Sequence, residues 1–227
     1  MTDLQARLTH ALATHQSLAG NVIVFGEGNT NHPRLAFVGE APGADEVKQG
    51  RPFVGAAGRN LDVMLATLGQ VREQIYITNL VKVRPTRINP RTGRTNNRPP
   101  TPAEVAFFRP YLLEELAELS PNITPAHNNR SSDRAGVTPL GGDASKSRSP
   151  TVRGRGTIVV TLGNFALTAL APGHGTIGEL HGQLIQANHK LFALYHPAAA
   201  IYNRALGTTI ERDLLKLRTI LEEGFNE

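Results

Sequence analysis

Four short apolar runs, at 34–39, 75–79, 157–163 and 191–195, constrain the fold of this chain more than any other feature of its sequence. Each is too short for a typical helix and apolar without polar alternation. Each stops at a turn or cap residue: Gly39, Asn79, Gly163, and the pair His196-Pro197. A run apolar on both faces reads as a strand covered on both faces, which is the habit of parallel sheets. Residues 80–83 are expected to extend the second strand. Helical spacing fills the intervals. Leu4, Leu8, Leu12 and Leu18 open the chain. Leu61, Met64, Leu65 and Leu68 share one face, with Gly69 placed to end the helix. Thr101-Pro102-Ala103-Glu104 puts Thr at the N-cap, Pro at the first helical position and Glu at the third, a capping box that starts a helix reaching about residue 119. A short helix follows over 165–170, and Leu214, Leu215, Leu217, Ile220 and Leu221 define a closing helix over 209–222. Strands alternating with helices predict an α/β fold, a three-layer α/β/α sandwich around a four-stranded parallel sheet.

Two stretches do not fit this alternation. Residues 84–100 are Pro, Arg and Asn and read as a loop. Residues 120–156 are Ser, Gly, Pro, Asn and Arg with almost no large apolar side chains, and read as a disordered insertion. Too little chain follows to build a second core, so 1–227 is expected to be one domain. The stretches 82–109 and 120–156 together carry about ten net positive charges, against a whole-chain value of +5. A mildly acidic body with two basic loops suits a phosphate-backbone partner, although solvated loops that keep the protein dispersed would look the same. The absence of Cys excludes disulfides, thiolate zinc sites, Cys-ligated iron–sulfur clusters and Cys nucleophiles. The eight His residues show no metal-ligand spacing beside an acid, so no metal is expected. No apolar run is long enough to span a membrane and no export signal opens the chain, so a cytoplasmic location is expected.

Ligands of open parallel sheets bind at the carboxyl ends of the strands. Those ends bring Glu40, Asn79 and His196 to one edge. An Asn amide can read the edge of a base. Phe53, in a Gly-rich loop, can stack on a planar ring, and His196 can donate to a developing anion. Glu40 and Glu46 can orient water or stabilise a cationic sugar. Each also has a structural reading: a strand-end hydrogen bonder for His196, a turn residue for Asn79, core for Phe53, helix-start acids for Glu40 and Glu46. Gly39-Glu40-Ala41-Pro42-Gly43 lacks the Lys-Ser/Thr of a P-loop, and no dinucleotide fingerprint is present.

The run Val38-Gly39-Glu40-Ala41-Pro42-Gly43-Ala44-Asp45-Glu46 with Gly50-Arg51-Pro52-Phe53-Val54-Gly55 resembles the first motif of the family 4 uracil-DNA glycosylases. Thr78-Asn79-Leu80-Val81-Lys82 with Arg84-Pro85, and Tyr195-His196-Pro197-Ala198-Ala199-Ala200, resemble the two that follow. The resemblance implies a parallel sheet between helices and hydrolysis of the N-glycosidic bond of uracil in DNA by base flipping, leaving an abasic site. It implies that Phe53 stacks on the extruded uracil, that Asn79 pairs with its O4 and N3 edge, and that Glu46 restricts the C5 side. His196 would support charge at O2, and Glu40 would serve the water and sugar side. Ala41 stands where family 1 enzymes carry a water-activating Asp. Uracil-containing DNA is the implied partner, with a monomer expected.

Three departures accompany the resemblance. The family's four-iron, four-sulfur cluster is held by Cys at positions that are Ala13, Gln16, Val83 and Phe108 here, so no cofactor is expected. The 84–98 loop is longer than the family pattern, and its Arg84, Arg87, Arg91, Arg94 and Arg98, with Arg204 beyond the His-Pro motif, are candidate phosphate contacts. The Arg-rich extension resembles the X subgroup that cross-links to DNA through a loop His, but no His lies between Met64 and Phe108, so no covalent trapping is expected. The third is the insertion itself. Two alternatives stand beside the glycosylase: a non-catalytic DNA-binding or damage-sensing module, and a glycosylase of broader deaminated-base range.

Overall fold

A computed structural model describes residues 1–119 and 156–223. The expected insertion at 120–156 therefore lies, but for Gly156, outside the described residues. In chain order the elements are α1 (Thr2–Ala13), β1 (Glu27–Gly28), β2 (Leu35–Gly39), α2 (Ala44–Gln49), α3 (Ala56–Thr67), β3 (Tyr76–Asn79), β4 (Thr86–Ile88) and β5 (Thr95–Asn97). They continue with α4 (Pro102–Leu119), β6 (Ile158–Leu162), α5 (Asn164–Leu170), α6 (Ile177–Leu180), β7 (Leu184–Gln186), β8 (Lys190–Leu194), α7 (Ala199–Tyr202) and α8 (Ala205–Glu223).

The four apolar runs form the four parallel strands at the centre of the sheet, in the order β3-β2-β6-β8. The sheet is wider than four, because β1 pairs antiparallel with β3 at one edge and β7 antiparallel with β8 at the other. Residues 80–83 do not extend β3. After Asn79 the chain bends, with Leu80 donating its N–H to the Gly39 carbonyl and Val81 to the Glu40 carbonyl. The 84–100 segment is not a plain loop either: β4 and β5 pair as an exposed hairpin. Its turn is built by Asn89, whose Oδ1 accepts from the N–H groups of Arg91 and Thr92, with Gly93 at φ +65°.

Alternate residues of the central strands feed two cores. Ala36, Val38, Tyr76, Val159, Leu191 and Ala193 face one side with α1, α4 and α5. Leu35, Phe37, Ile77, Val160, Phe192 and Leu194 face the other with α3 and α8. These are the two outer layers of the sandwich. The capping box at Thr101 and Glu104 forms as expected, each side chain bonding the other's backbone N–H. Gly69 sits at φ +65° just past α3. Chain connections leave β2 through α3 on one face and β6 through α5 on the other, so the crevice between β2 and β6 is a switch point, where such sheets bind ligands. Among the described residues no helix is long and apolar enough to cross a membrane.

Candidate active site

A cavity of about 380 Å³ opens at the carboxyl edge of the sheet, lined by Ala41, Glu46, Phe53, Asn79 and His196. Register explains the convergence. Gly39 pairs with Asn79 across β2 and β3, and Leu162 pairs with Leu194 across β6 and β8, so the residues that follow emerge at one level. Gly39 lets them close together. A Cβ there would lie 2.4 Å from the Phe53 ring and 2.5 Å from Asn79 Oδ1.

Asn79 is 3% exposed, and its side-chain amide makes no hydrogen bond within the described residues. Its polar atoms are not sealed from the cavity, and an amide free on a cavity wall is suited to a ligand edge. The Phe53 ring is 4% exposed and stands 5.9 Å from the His196 ring, tilted by 31°. The Phe53 backbone is at φ +53°, which a bulky side chain rarely adopts.

His196 is held in one tautomer. Its Nδ1 accepts the Ala198 backbone N–H at 3.2 Å, which leaves the proton of the neutral ring on Nε2. Burial pushes its pKa down to about 4, so the imidazole is neutral at pH 7 and acts as a donor through Nε2. Glu40 lies just past β2, half-buried, with its carboxyl unbonded among the described residues. Desolvation raises its pKa above the ordinary carboxylate range. Glu46 lines the cavity from the first turn of α2 and is also tied to the backbone. Its carboxylate accepts the backbone N–H groups of Gly43, Val54 and Gly55 at 3.0, 3.0 and 2.8 Å, which ties it to the loop on either side of Phe53.

The candidate phosphate contacts divide. Arg98 is taken up by Glu104 in a two-pronged ion pair, both bonds at 2.7 Å, and by the Thr86 and Pro99 carbonyls. That pairing draws the Glu104 pKa down to about 2. Arg98 is thus a clamp at the base of the hairpin rather than a free cation. Arg84 donates through Nε to Asn97 Oδ1 at 2.7 Å. Lys82, counted in the basic stretch, is buried in a pair with Glu115 that Tyr76 and Thr78 join. The side chains of Arg87, Arg91, Arg94 and Arg204 make no hydrogen bond within the described residues and stay exposed.

Three contributors to the site were missed in the sequence. Asn97 reaches the cavity from the end of β5, and with its Oδ1 held by Arg84 it presents N–H donors. Ile201 and Tyr202 of α7 line the mouth, Tyr202 at 88% exposure. The Asn89 and Gly93 turn signal could have revealed the hairpin. Nothing in the sequence marks where its end lands.

The positions where the resemblance puts the cluster cysteines do not fit an iron–sulfur cluster. Ala13 and Gln16 are exposed, Val83 and Phe108 are buried in the core, and no thiolate exists in the chain.

The uracil DNA glycosylase superfamily model matches residues 25–128. Three curated relatives named type-4 uracil-DNA glycosylase match across most of the chain. The Archaeoglobus fulgidus protein is 34% identical over 194 residues, covering 85% of this chain and 78% of its own. That of Sulfurisphaera tokodaii is 32% identical, covering 82% and 69%. That of Saccharolobus solfataricus is 31% identical, covering 86% and 74%.

Proposed function

This chain belongs to the type-4 uracil-DNA glycosylases of the uracil DNA glycosylase superfamily, and we propose that the sheet-edge cavity receives a uracil flipped out of DNA and hydrolyses its bond to deoxyribose. The enzyme removes uracil in DNA repair. The whole chain, 1–227, serves as one domain, a cytoplasmic monomer with no cofactor. The observation that carries the reading is the unpaired Asn79 amide on the floor of a cavity walled by the Phe53 ring and a neutral His196.

Each group has a physical task. Phe53 offers a ring face to the extruded base. The Asn79 amide offers a carbonyl acceptor to N3–H and an N–H donor to O4. Cytosine, with its N3 acceptor and amino group, would leave both mispaired, which is how a buried amide discriminates strongly. Glu46 stands on the C5 side and also fixes the loop. As the N1–C1′ bond breaks, its electron pair delocalises onto the uracil, with charge at O2. His196 Nε2–H donates to that oxygen without surrendering a full charge. The sugar cation is captured by water, whose proton passes to Glu40 in this reading. A carboxylate with a raised pKa is a better base for this step. Ala41 leaves the water-activating position of family 1 without a carboxylate. Arg87, Arg91, Arg94 and Arg204 are the phosphate contacts in this reading. Arg98 and Arg84 act by holding the hairpin and Asn97.

A strand-nicking assay tests the proposal. Single- and double-stranded oligonucleotides carrying one uracil are incubated with enzyme and then alkali, beside an Asn79→Ala control. Cleavage by the wild type and loss in the control is the expected result. No cleavage by the wild type, with salt-sensitive DNA binding retained, would instead assign the damage-sensing role. Cleavage of hypoxanthine or xanthine substrates at comparable rates would assign the broader range.

A further inference from the structure

Phe53 is the one cavity residue whose backbone lies where a bulky side chain rarely goes, at φ +53°. Such a conformation persists only where the surroundings over-determine it. The following amides, of Val54 and Gly55, are held by Glu46. The carbonyl side is held from outside the pocket. Arg72, in the turn that leads into β3, donates through one guanidinium nitrogen to the Phe53 carbonyl at 2.5 Å and through the other to the Pro52 carbonyl at 3.3 Å. The same guanidinium is anchored on two separate elements: Nε donates to Asp62 of α3 at 2.6 Å, and a terminal nitrogen to Glu27 of β1 at 3.3 Å. Gly58 completes the seat. A Cβ there would fall 1.8 Å from the Phe53 carbonyl oxygen, so α3 must present a bare Cα for the flipped peptide to fit.

We propose that Arg72 is a positioning residue for uracil recognition: by holding the Pro52 and Phe53 carbonyls it fixes the left-handed turn that aims the Phe53 ring into the cavity. The planar fork matters as much as the charge, because four acceptors from three segments are met at set angles. A Lys in its place keeps the charge and loses the geometry. Arg72 lies on the far side of the Phe53 backbone and acts only through it. The inference rests on the glycosylase reading above, since the ring is given its role there.

A double-mutant cycle tests it. Wild type, Arg72→Ala, Phe53→Ala and the double variant are compared for kcat/KM on uracil DNA, for inhibition by free uracil, and for Tm, with Arg72→Lys measured alongside. Arg72→Ala is expected to lower kcat/KM on the order of 10- to 100-fold, the usual effect of a ring displaced by about an ångström. It should weaken inhibition by free uracil in proportion. In the Phe53→Ala background the same change should cost less than about twofold, because the ring it positions is gone. Multiplicative losses in the double variant would overturn the proposal, as would a free-uracil inhibition constant equal to the wild type's. Should Arg72→Ala fold poorly by Tm, Arg72→Lys decides between the outcomes. Weaker uracil inhibition with folding retained supports the clamp, and wild-type inhibition overturns it. A wild type that excises no uracil overturns the glycosylase reading, and the clamp's role with it. An active wild type with additive variants overturns the clamp alone.

Discussion

The protonation of His196 is the most exposed point of the mechanism, because both its tautomer and its charge follow from the structure. Burial lowers its pKa from the ordinary 6.5 to about 4, a difference worth about 3 kcal/mol between the two protonation states. The sign follows from proton counting. Between pH 6.5 and 4 the unfolded chain binds a proton at this site and the folded one does not, so folding stability falls as pH falls through that window. The contribution is fully present above about pH 6.5. It is lost at about 1.4 kcal/mol per pH unit and levels off below pH 4. Glu40 works in the opposite direction, since its folded pKa is raised and protonation favours the folded form. Comparison with His196→Gln therefore isolates the imidazole. Urea melts at pH 7 and pH 5 should show the wild type losing about 2 kcal/mol more than the variant. Imidazole nitrogen NMR on the folded enzyme should show a neutral ring protonated at Nε2 down to about pH 5. An imidazole that titrates near 6.5, or one carrying its proton on Nδ1, would refute the role of Nε2 as the donor to O2.

Other consequences are independent of that one. Lys82→Met leaves the buried Glu115 carboxylate without its cation and should destabilise the protein by about 3–5 kcal/mol in urea melts, against a near-zero change if the pair were exposed. Val83→Asp puts an unpaired charge into a fully buried position in the same core cluster as Leu80 and Phe108 and should cost at least about 3 kcal/mol, with an unchanged Tm refuting the burial of Val83. Replacing Arg87, Arg91 and Arg94 together by Ala should flatten the plot of log affinity against log salt by about one unit per arginine. Replacing Arg98 should not reduce that slope, because its guanidinium is already bound to Glu104.

How much of this could be read from the sequence depends on how each part is held together. The central strands are buried on both faces, so their burial is written directly into composition: Leu35, Phe37, Ile77, Val160 and Phe192 need no partner to be recognised as core. The strand ends follow, and with them Glu40, Asn79 and His196. The edge strands β1 and β7 are short and half-exposed, and their pairing comes from neighbours rather than from any run of apolar residues. The β4–β5 hairpin is exposed along its whole length, so it lacks the alternation that marks a half-buried strand. Charge was legible only as a sum. Arg98, Lys82 and Arg109 count as basic residues in the sequence, yet in the fold they serve Glu104, Glu115 and the Ala169 carbonyl. The set of exposed arginines left unbonded among the described residues is consequently smaller than the basic stretch suggested. Arg72 was invisible because its partners at positions 27, 52, 53 and 62 meet only in three dimensions.

Local rules fail at several places among the described residues, His32 at φ +49° and the unpartnered Thr161 Oγ1 and His189 Nδ1 among them, and three such departures gather at one site. A left-handed turn at a bulky Phe53 costs on the order of 1–3 kcal/mol. The Asn79 amide, on a residue only 3% exposed, is left without a protein partner among the described residues. A desolvated imidazole at His196 gives up its ordinary basicity. All three border one cavity. The apolar groove between α3 and α8 and the cleft between α4 and α5 are lined by none of them. Natural sequences keep local and global preferences in agreement except where function demands otherwise. Each of these three departures is relieved by the same kind of guest: a flat ring to face Phe53, a donor and an acceptor for Asn79, and an oxygen gaining charge for His196 Nε2. Uracil leaving a sugar supplies all of them at once, whereas thymine adds a methyl on the C5 side and cytosine reverses the donor and acceptor that Asn79 must meet. In the proposed reading, the departures from local rules at the site are thus the same features that select the base.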